Sequence, residues 1–139
     1  MNSDARAVSV LIAEDEAINR LYLSSFLSER GYRTTAVKNG LEAVRISETS
    51  EFDVILMDLG MPGMGGLDAI RRIRSRKGAF RSYIIALTAH ADADDLAACR
   101  EVGVDDFISK PYDEHTLLAK LAAARPRKGD DGARSVGRY

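Results

Sequence analysis

Several apolar segments of this chain end on side chains that carry charge or donate hydrogen bonds. The residues that follow these segments are Glu14 and Asp15, Asp58, Thr88 and Lys110. If the segments are neighbouring parallel strands, these groups meet at one edge of a sheet, because such sheets place their chemistry at the carboxyl ends of the strands. The spacing therefore predicts one site built from carboxylates, a hydroxyl and an ammonium.

The chemistry of this set follows from its charges. Like charges about 4 Å apart repel by roughly 4 kcal/mol at an effective dielectric near 20, so three clustered carboxylates need a cation. Oxygen ligands alone favour a hard ion, and two carboxylates with a carbonyl and waters suit Mg²⁺. With the Lys110 ammonium and the Thr88 hydroxyl nearby, the expected guest is a phosphoryl group. Asp58 is the carboxylate best placed to accept it covalently.

Strand and helix patterns alternate along the chain and supply the frame for this site. Strands are predicted at 8–13, 33–37, 54–58 and 83–88 and around Phe107, and helices at 17–29, 39–47, 67–75, 92–101 and 113–124. Asn39 is predicted to cap one helix, and Gly103 is predicted to end another. This alternation indicates an α/β fold with a parallel sheet covered on both faces.

Length, charge and composition set limits on the class of protein. A chain of 139 residues has the size of one domain, and its net charge of −1 gives no reason to expect nucleic-acid binding. We expect one folded domain over 8–124, an N-terminal extension over 1–7 and a flexible basic tail over 125–139. No apolar run reaches the roughly 20 residues of a membrane span, and we expect no membrane insertion and a cytoplasmic location.

The residues after the first predicted strand exclude two nucleotide-binding folds, the Rossmann fold and the P-loop fold. A glycine-rich turn would be required there to cradle phosphates, whereas the chain has acidic residues at 14–16. No phosphate-binding P-loop motif and no nucleophile-elbow motif occurs in the sequence.

Four motifs, each at the end of a predicted strand, together resemble the receiver domain of response regulators in two-component signalling. They are Glu14-Asp15, Met57-Asp58 with Met61-Pro62 and Gly66, Ala86-Leu87-Thr88-Ala89, and Lys110-Pro111. The resemblance covers about residues 8–124. It implies a flavodoxin-like, doubly wound, five-stranded parallel sheet of order 2-1-3-4-5.

The resemblance also implies roles for individual residues. Asp58 would be the phosphoacceptor and also a Mg²⁺ ligand. Asp15 would bind the metal directly, Glu14 would bind it through water, and the Gly60 carbonyl would complete the ligands. Thr88 and Lys110 would bind phosphoryl oxygens, and Phe107 would be the switch aromatic. The family suggests a cis bond before Pro111. Phe107 lacks the hydroxyl of the more frequent tyrosine, and Gly60 has no side chain to shield the phosphoryl group.

The resemblance further implies a phosphodonor, which is a histidine kinase or a histidine phosphotransfer protein, and a downstream protein of unknown identity. We expect a signalling phosphoacceptor instead of an enzyme, a monomer or weak dimer, and a single-domain protein. The segments 14–20 and 86–91 look more like receivers of hybrid histidine kinases, so a fragment of such a kinase is an alternative. A phosphate sink or phosphorelay shuttle, and a pseudo-receiver that is never phosphorylated, are the alternative functions.

Residues outside this set are expected to have structural roles. The arginines from Arg71 to Arg76 are interpreted as a solvated helix face, Cys99 as a packing residue and Asp53 as a turn carboxylate. The two histidines, His90 and His115, are interpreted as surface residues.

Overall fold

Strands and helices alternate five times in the computed structural model, which describes residues 7–76 and 81–125. The strands are β1 Ser9–Ala13, β2 Arg33–Val37, β3 Val54–Asp58, β4 Tyr83–Thr88 and β5 Asp106–Ser109. The helices are α1 Ala17–Ser28, α2 Gly40–Thr49, α3 Gly66–Arg74, α4 Ala93–Val102 and α5 Glu114–Ala123. Nearly all of the predicted N-terminal extension and basic tail lies outside the described residues. Within them, no helix has the length and apolar character needed to cross a bilayer.

The strands form one sheet in the order β2-β1-β3-β4-β5, and every pairing in it is parallel. The predicted doubly wound α/β fold is therefore confirmed. In this topology the chain leaves β1 toward β2 on one side and returns to β3 on the other, so the strand order reverses beside β1. A crevice opens at the carboxyl ends of strands next to such a reversal, and this is the edge at which doubly wound folds bind ligands.

The core consists of two apolar layers, one on each face of the sheet. Side chains in a strand alternate between the two faces, so neighbouring residues of β1 and β3 enter different layers. One layer includes Val10, Ile12, Val54, Leu56, Leu23, Leu27, Leu117 and Leu121, and the other includes Leu11, Ile55, Met57, Ala43, Ala69, Ile70 and Val102. β3 is buried at every position, because it is the central strand and both of its faces are covered.

Local sequence signals define several of the helix ends. The Asn39 side chain accepts a hydrogen bond from the backbone of Glu42 at 2.8 Å, which confirms the predicted cap of α2. Gly103 ends α4 with a φ of 101°, a left-handed conformation that glycine adopts without the steric cost of a Cβ atom. The peptide bond before Pro111 is cis, as the family resemblance implied.

The predicted helix at 17–29 is confirmed, but its apolar residues do not all enter the core. Leu23 and Leu27 are buried, whereas Ile18 is 83% exposed and Leu21 is 68% exposed. Helical spacing alone cannot distinguish these two sets, because α1 carries apolar residues on more than one face. The exposed set therefore requires a separate explanation.

The interpretation of the arginines at 71–76 as a solvated face is wrong for Arg74. Its guanidinium donates to the Asp105 carboxylate at 2.7 Å and to the Gly103 carbonyl at 3.0 Å. Arg71 does remain exposed, in an ion pair with Asp68 on the same helix. The difference arises because the last turn of α3 faces the loop between α4 and β5, a contact that only the tertiary fold creates.

Candidate functional site

The predicted site residues gather at the carboxyl-end edge of the sheet. In the register of the sheet, Ala13 pairs with Met57 and Thr88 pairs with Ser109, so the segments that follow β1, β3, β4 and β5 leave the sheet at the same level. The buried polar residues at this edge are Glu14 at 3% exposure, Asp58 at 4% and Thr88 at 5%. Asp15 is exposed beside them.

Both carboxylate oxygens of Asp58 have protein partners. Oδ1 accepts a hydrogen bond from the Gly60 backbone N–H at 2.9 Å. Oδ2 accepts one from the Lys110 ammonium at 3.0 Å, although the two residues are 52 positions apart in the chain. A hydrogen-bonded charge pair of this kind fixes the direction of the Asp58 side chain, and the acceptor oxygen therefore has a defined position at the bottom of the site.

Three carboxylates could hold a metal ion here. One oxygen each from Glu14, Asp15 and Asp58 lies within 4.8 Å of the others. Hard oxygen donors at this density suit Mg²⁺, which keeps several waters and uses one or two carboxylates. The donor set therefore fits the predicted magnesium ion, and the exposed Asp15 leaves the site open to it.

Within this cluster, the pKa of the Glu14 carboxyl group is shifted. Burial is the main factor that raises the pKa of its carboxyl group to about 7, and the neighbouring charge of Asp58 and a hydrogen bond to Asp58 raise it further. The Glu16 backbone N–H, which donates to Glu14 Oε2 at 3.0 Å, and the more distant Lys110 charge act in the opposite direction. Burial at this edge, with a smaller contribution from Asp58, thus disfavours the charged form of Glu14.

Thr88 lies at this edge, but its hydroxyl is engaged elsewhere. Thr88 Oγ1 donates to the His90 carbonyl at 2.8 Å and accepts from the His90 N–H at 2.9 Å. To bind a phosphoryl oxygen, as predicted, the hydroxyl would have to leave this turn. The His90 side chain itself is exposed, in agreement with its interpretation as a surface residue.

The loop between β3 and α3 passes very close to the end of β3. A Cβ atom built on Gly66 would lie 2.6 Å from the Asp58 carbonyl oxygen and 2.8 Å from a Leu59 methyl group. No real Cβ contact is that short, so glycine is required at this position for the loop to close. Gly60 is exposed two residues after Asp58, where its carbonyl was predicted to ligate the metal.

Two cavities meet at Lys110. The first, of about 540 Å³, contains Asp58 and Thr88 and extends along Gly66 toward Arg71. The second, of about 570 Å³, is lined by Glu14, Asn19, Tyr22, Lys110 and Tyr112. Burial raises the pKa of the Tyr112 phenol, and the charges of Glu14 and Asp58 add to this effect.

The lining of the second cavity was not predicted from the sequence. Tyr22 belongs to an apolar repeat that suggests core packing, and no pattern marks Tyr112 except its place after Pro111. Phe107, the predicted switch aromatic, is half-buried on β5 with the Lys120 ammonium 5.8 Å from its ring centroid.

Comparison with known proteins agrees with this geometry. A family model described as the response regulator receiver domain matches residues 10–122. The sensor histidine kinase GacS of Pseudomonas protegens is 38% identical over 116 residues, which are 81% of this chain and 13% of that protein. The sensory transduction protein RegX3 of Mycobacterium tuberculosis is 35% identical over 123 residues, 88% of this chain and 53% of that protein.

A solved structure shows the same fold with a metal ion. The receiver domain of the sensor histidine kinase PA1611 from Pseudomonas aeruginosa has a TM-score of 0.77 and 35% sequence identity, covers 86% of this chain and 98% of its own, and has magnesium coordinated in its active site cleft. The chain spans about half of RegX3 and a smaller part of GacS. The likeness therefore concerns one domain of these longer proteins.

Proposed function

Because the chain belongs to the response regulator receiver family of two-component systems, we propose that it is a signalling phosphoacceptor that receives a phosphoryl group from a histidine onto Asp58. The observation that carries this proposal is the environment of Asp58. Its carboxylate is buried, held by Lys110 at 3.0 Å, and lies within 4.8 Å of two further carboxylates that suit a metal ion.

In the proposed transfer, an Asp58 carboxylate oxygen attacks the phosphorus of a phosphohistidine. An O–P bond forms, the P–N bond breaks, and its electron pair returns to the imidazole ring. The Lys110 ammonium stabilises the negative charge that spreads over the phosphoryl oxygens, since it already lies within hydrogen-bond distance of the acceptor. The protein thereby assists its own phosphorylation and dephosphorylation, and it is a switch that carries the group and not an enzyme that turns over a separate substrate.

A magnesium ion is part of this proposal. Glu14, Asp15 and Asp58 would hold it together with the Gly60 carbonyl, and Glu14 would act through a water molecule. When bound, Mg²⁺ supplies positive charge at the phosphoryl oxygens, which lowers the barrier to transfer. The close grouping of the three carboxylates supports this assignment, because a bound cation would favour the charged form of Glu14 that burial disfavours.

The switch is proposed to begin at Thr88. Its hydroxyl is held by the His90 backbone, so a phosphoryl dianion on Asp58 has to compete for it. When Thr88 turns to donate to a phosphoryl oxygen, the loop after β4 follows, and Phe107 moves toward the vacated space. The bias between the two states comes from the bond that Thr88 makes only to the phosphorylated site, and the changed surface is read by a downstream protein.

The phosphodonor is proposed to dock on α1. Receiver domains interact with histidine kinases or phosphotransfer proteins, and here α1 exposes Ile18, Leu21 and Tyr22 near the site. Tyr22 also lines the cavity that reaches Lys110, so this apolar surface is continuous with the reacting edge. Exposed apolar patches of this kind favour protein contacts, and the donor that would dock there is a histidine kinase or a histidine phosphotransfer protein.

The proposal is tested with acetyl phosphate and Mg²⁺, followed by intact-mass measurement. Wild-type protein should gain one phosphoryl group, and Asp58→Asn should gain none. Asp53→Asn is the matched control, because the Asp53 carboxylate lies at the opposite edge of the sheet, where it accepts hydrogen bonds from the Ser9 backbone N–H and hydroxyl. Full labelling of Asp58→Asn would disprove the assignment, and absence of labelling in the wild type would favour the pseudo-receiver alternative.

The docking surface is tested separately. Phosphotransfer profiling against the histidine kinases and phosphotransfer proteins of the source organism first identifies the donor. Ile18→Asp should then slow transfer from that donor and leave labelling by acetyl phosphate unchanged. Leu41→Asp, which changes an exposed leucine on α2, serves as the control and should affect neither reaction.

A further inference from the structure

Arg20, on the first turns of α1, makes contacts that no role described above explains. Its Nη1 donates to the Glu14 carbonyl at 2.9 Å and to the Asp15 carbonyl at 3.2 Å. The guanidinium is thus bound to the backbone of the two residues that carry metal-binding carboxylates. Arg20 is only half-exposed, so this position is a defined one and the side chain is not freely solvated.

The loop that Arg20 contacts is held by backbone hydrogen bonds, since the Glu14 N–H donates to the Val37 carbonyl at 3.1 Å, but it lacks a side-chain cap on α1. Glu16, at the N-cap position of α1, makes no side-chain capping hydrogen bond, so the usual anchor of a helix start is missing. Its carboxylate instead accepts from the Asn19 amide at 2.6 Å. The Arg20 side chain reaches back from inside the helix and adds a side-chain link between α1 and the acidic loop.

The choice of acceptor matters for the metal. A guanidinium beside a cluster of carboxylates would ordinarily form ion pairs with them and compete with a cation. Arg20 binds carbonyl oxygens instead, so the guanidinium itself does not occupy the carboxylate oxygens of Glu14 and Asp15. A residue that holds the ligands from behind in this way acts as an outer support of the metal site.

We infer that Arg20 is a positioning residue that sets the direction of the Glu14 and Asp15 carboxylates for Mg²⁺, an inference that rests on the proposed magnesium site. The inference has an electrostatic signature. If Arg20 acted only through its charge, its removal would strengthen the binding of a cation. If it positions the ligands, its removal weakens that binding, so the two explanations predict opposite signs.

The test is calorimetric titration of the purified protein with MgCl₂. Arg20→Met should raise the Kd for Mg²⁺ roughly tenfold, the size of effect known for outer-shell partners of metal ligands. Arg20→Lys, which keeps a donor in the same place, should recover most of the affinity. Arg30→Met is the matched control, since Arg30 lies just after α1 and its Nη1 donates to the Phe26 carbonyl at 3.0 Å away from the site. It should bind Mg²⁺ as the wild type does.

A second measurement separates positioning from general damage to the fold. Acetyl phosphate labelling of Arg20→Met should need more Mg²⁺ to reach half its maximal rate, while the rate at saturating Mg²⁺ stays near that of the wild type. Should Arg20→Met not fold, Arg20→Gln carries the same comparison. Unchanged or tighter Mg²⁺ binding by the variant would overturn the inference about Arg20 alone. A wild-type protein that binds no Mg²⁺ would instead overturn the proposed metal site.

Discussion

Two lysine–aspartate pairs with equal separation lie at opposite edges of the sheet. Lys110 and Asp58 are 3.0 Å apart at the carboxyl-end edge, and Lys120 and Asp106 are 3.0 Å apart at the amino end of β5. The side chains differ in burial, since that of Asp58 is 5% exposed and that of Asp106 is 24% exposed. Equal distances thus describe two different situations, and the surroundings decide what each pair can do.

The surroundings differ in how well each carboxylate is matched by donors. At the amino-end edge, the Asp105 carboxylate accepts from Arg74 at 2.7 Å and from the Ile84 backbone at 2.8 Å. At the carboxyl-end edge, three carboxylates lie close together, Asp58 among them forms an ion pair with the Lys110 ammonium, and burial is the main factor that raises the pKa of Glu14 to about 7. At the amino-end edge the Asp105 carboxylate is matched by donors and stabilises the fold. At the carboxyl-end edge the grouped carboxylates are suited to a metal cation, which would in turn bind a phosphoryl anion.

The largest effect is expected on the rate of labelling when Lys110, and not Lys120, is replaced by alanine. Lys110→Ala should slow labelling by acetyl phosphate roughly 100- to 1,000-fold, as for loss of one charge-stabilising donor in other active sites. Lys120→Ala should leave the labelling rate unchanged, because its pair lies at the other edge. The rates are measured from the time course of intact mass at fixed Mg²⁺. Equal slowing of labelling in both variants would show that the two edges do not differ in function.

Loss of a carboxylate at the amino-end edge should affect stability instead of chemistry. Asp105→Asn is expected to lower the free energy of unfolding by about 3 kcal/mol, because the Arg74 side chain, which is only 11% exposed, then loses the carboxylate charge that lies 2.7 Å from its guanidinium. Urea denaturation measures this change. Arg71→Met, which breaks an exposed pair on the same helix, should change stability by less than about 0.5 kcal/mol. A similar loss in both variants would show that burial of the Asp105 network is irrelevant.

A smaller effect is expected from pH at the carboxyl-end edge. A carboxyl group with a pKa of about 7 binds more protons in the folded than in the unfolded chain, so its contribution to stability is lost as pH rises from about 4.5 to 7. Mg²⁺ competes with that proton, and the affinity for Mg²⁺ should rise about tenfold between pH 6 and pH 8. Calorimetric titrations across this range measure it. Glu14→Gln should flatten the pH dependence, and an unchanged slope in that variant would assign the titration to another group.

Most of the fold could be predicted from the sequence, because its signals are local or periodic. The strands β2, β3 and β4 have the predicted bounds, since each is a short apolar or β-branched run, which is a local signal. The predicted helix stop at Gly103 is confirmed for the same reason. The parallel arrangement followed from the alternation of strands and helices, which leaves few permitted topologies.

The site was predictable in its membership but not in its contacts. Residue types at strand ends indicated Asp58, Lys110, Glu14 and Asp15 as one group, and the structure brings their charged atoms together. No sequence pattern could show that the Thr88 hydroxyl binds the His90 backbone, or that Arg20 reaches back to two carbonyls. These contacts depend on side-chain rotamers and loop paths, which are selected only when the elements pack.

By itself the sequence determined the α/β class, the bounds of most elements and the chemistry collected at one edge of the sheet. Propensity, periodicity and turn residues act within a few positions of the chain, so they can be read without coordinates. The tertiary structure alone decided which apolar residues of α1 remain exposed, which arginine of α3 forms a partly buried ion pair and which carboxyl group is buried with its charged form disfavoured. Each of these depends on groups that are distant in the chain and meet only after folding.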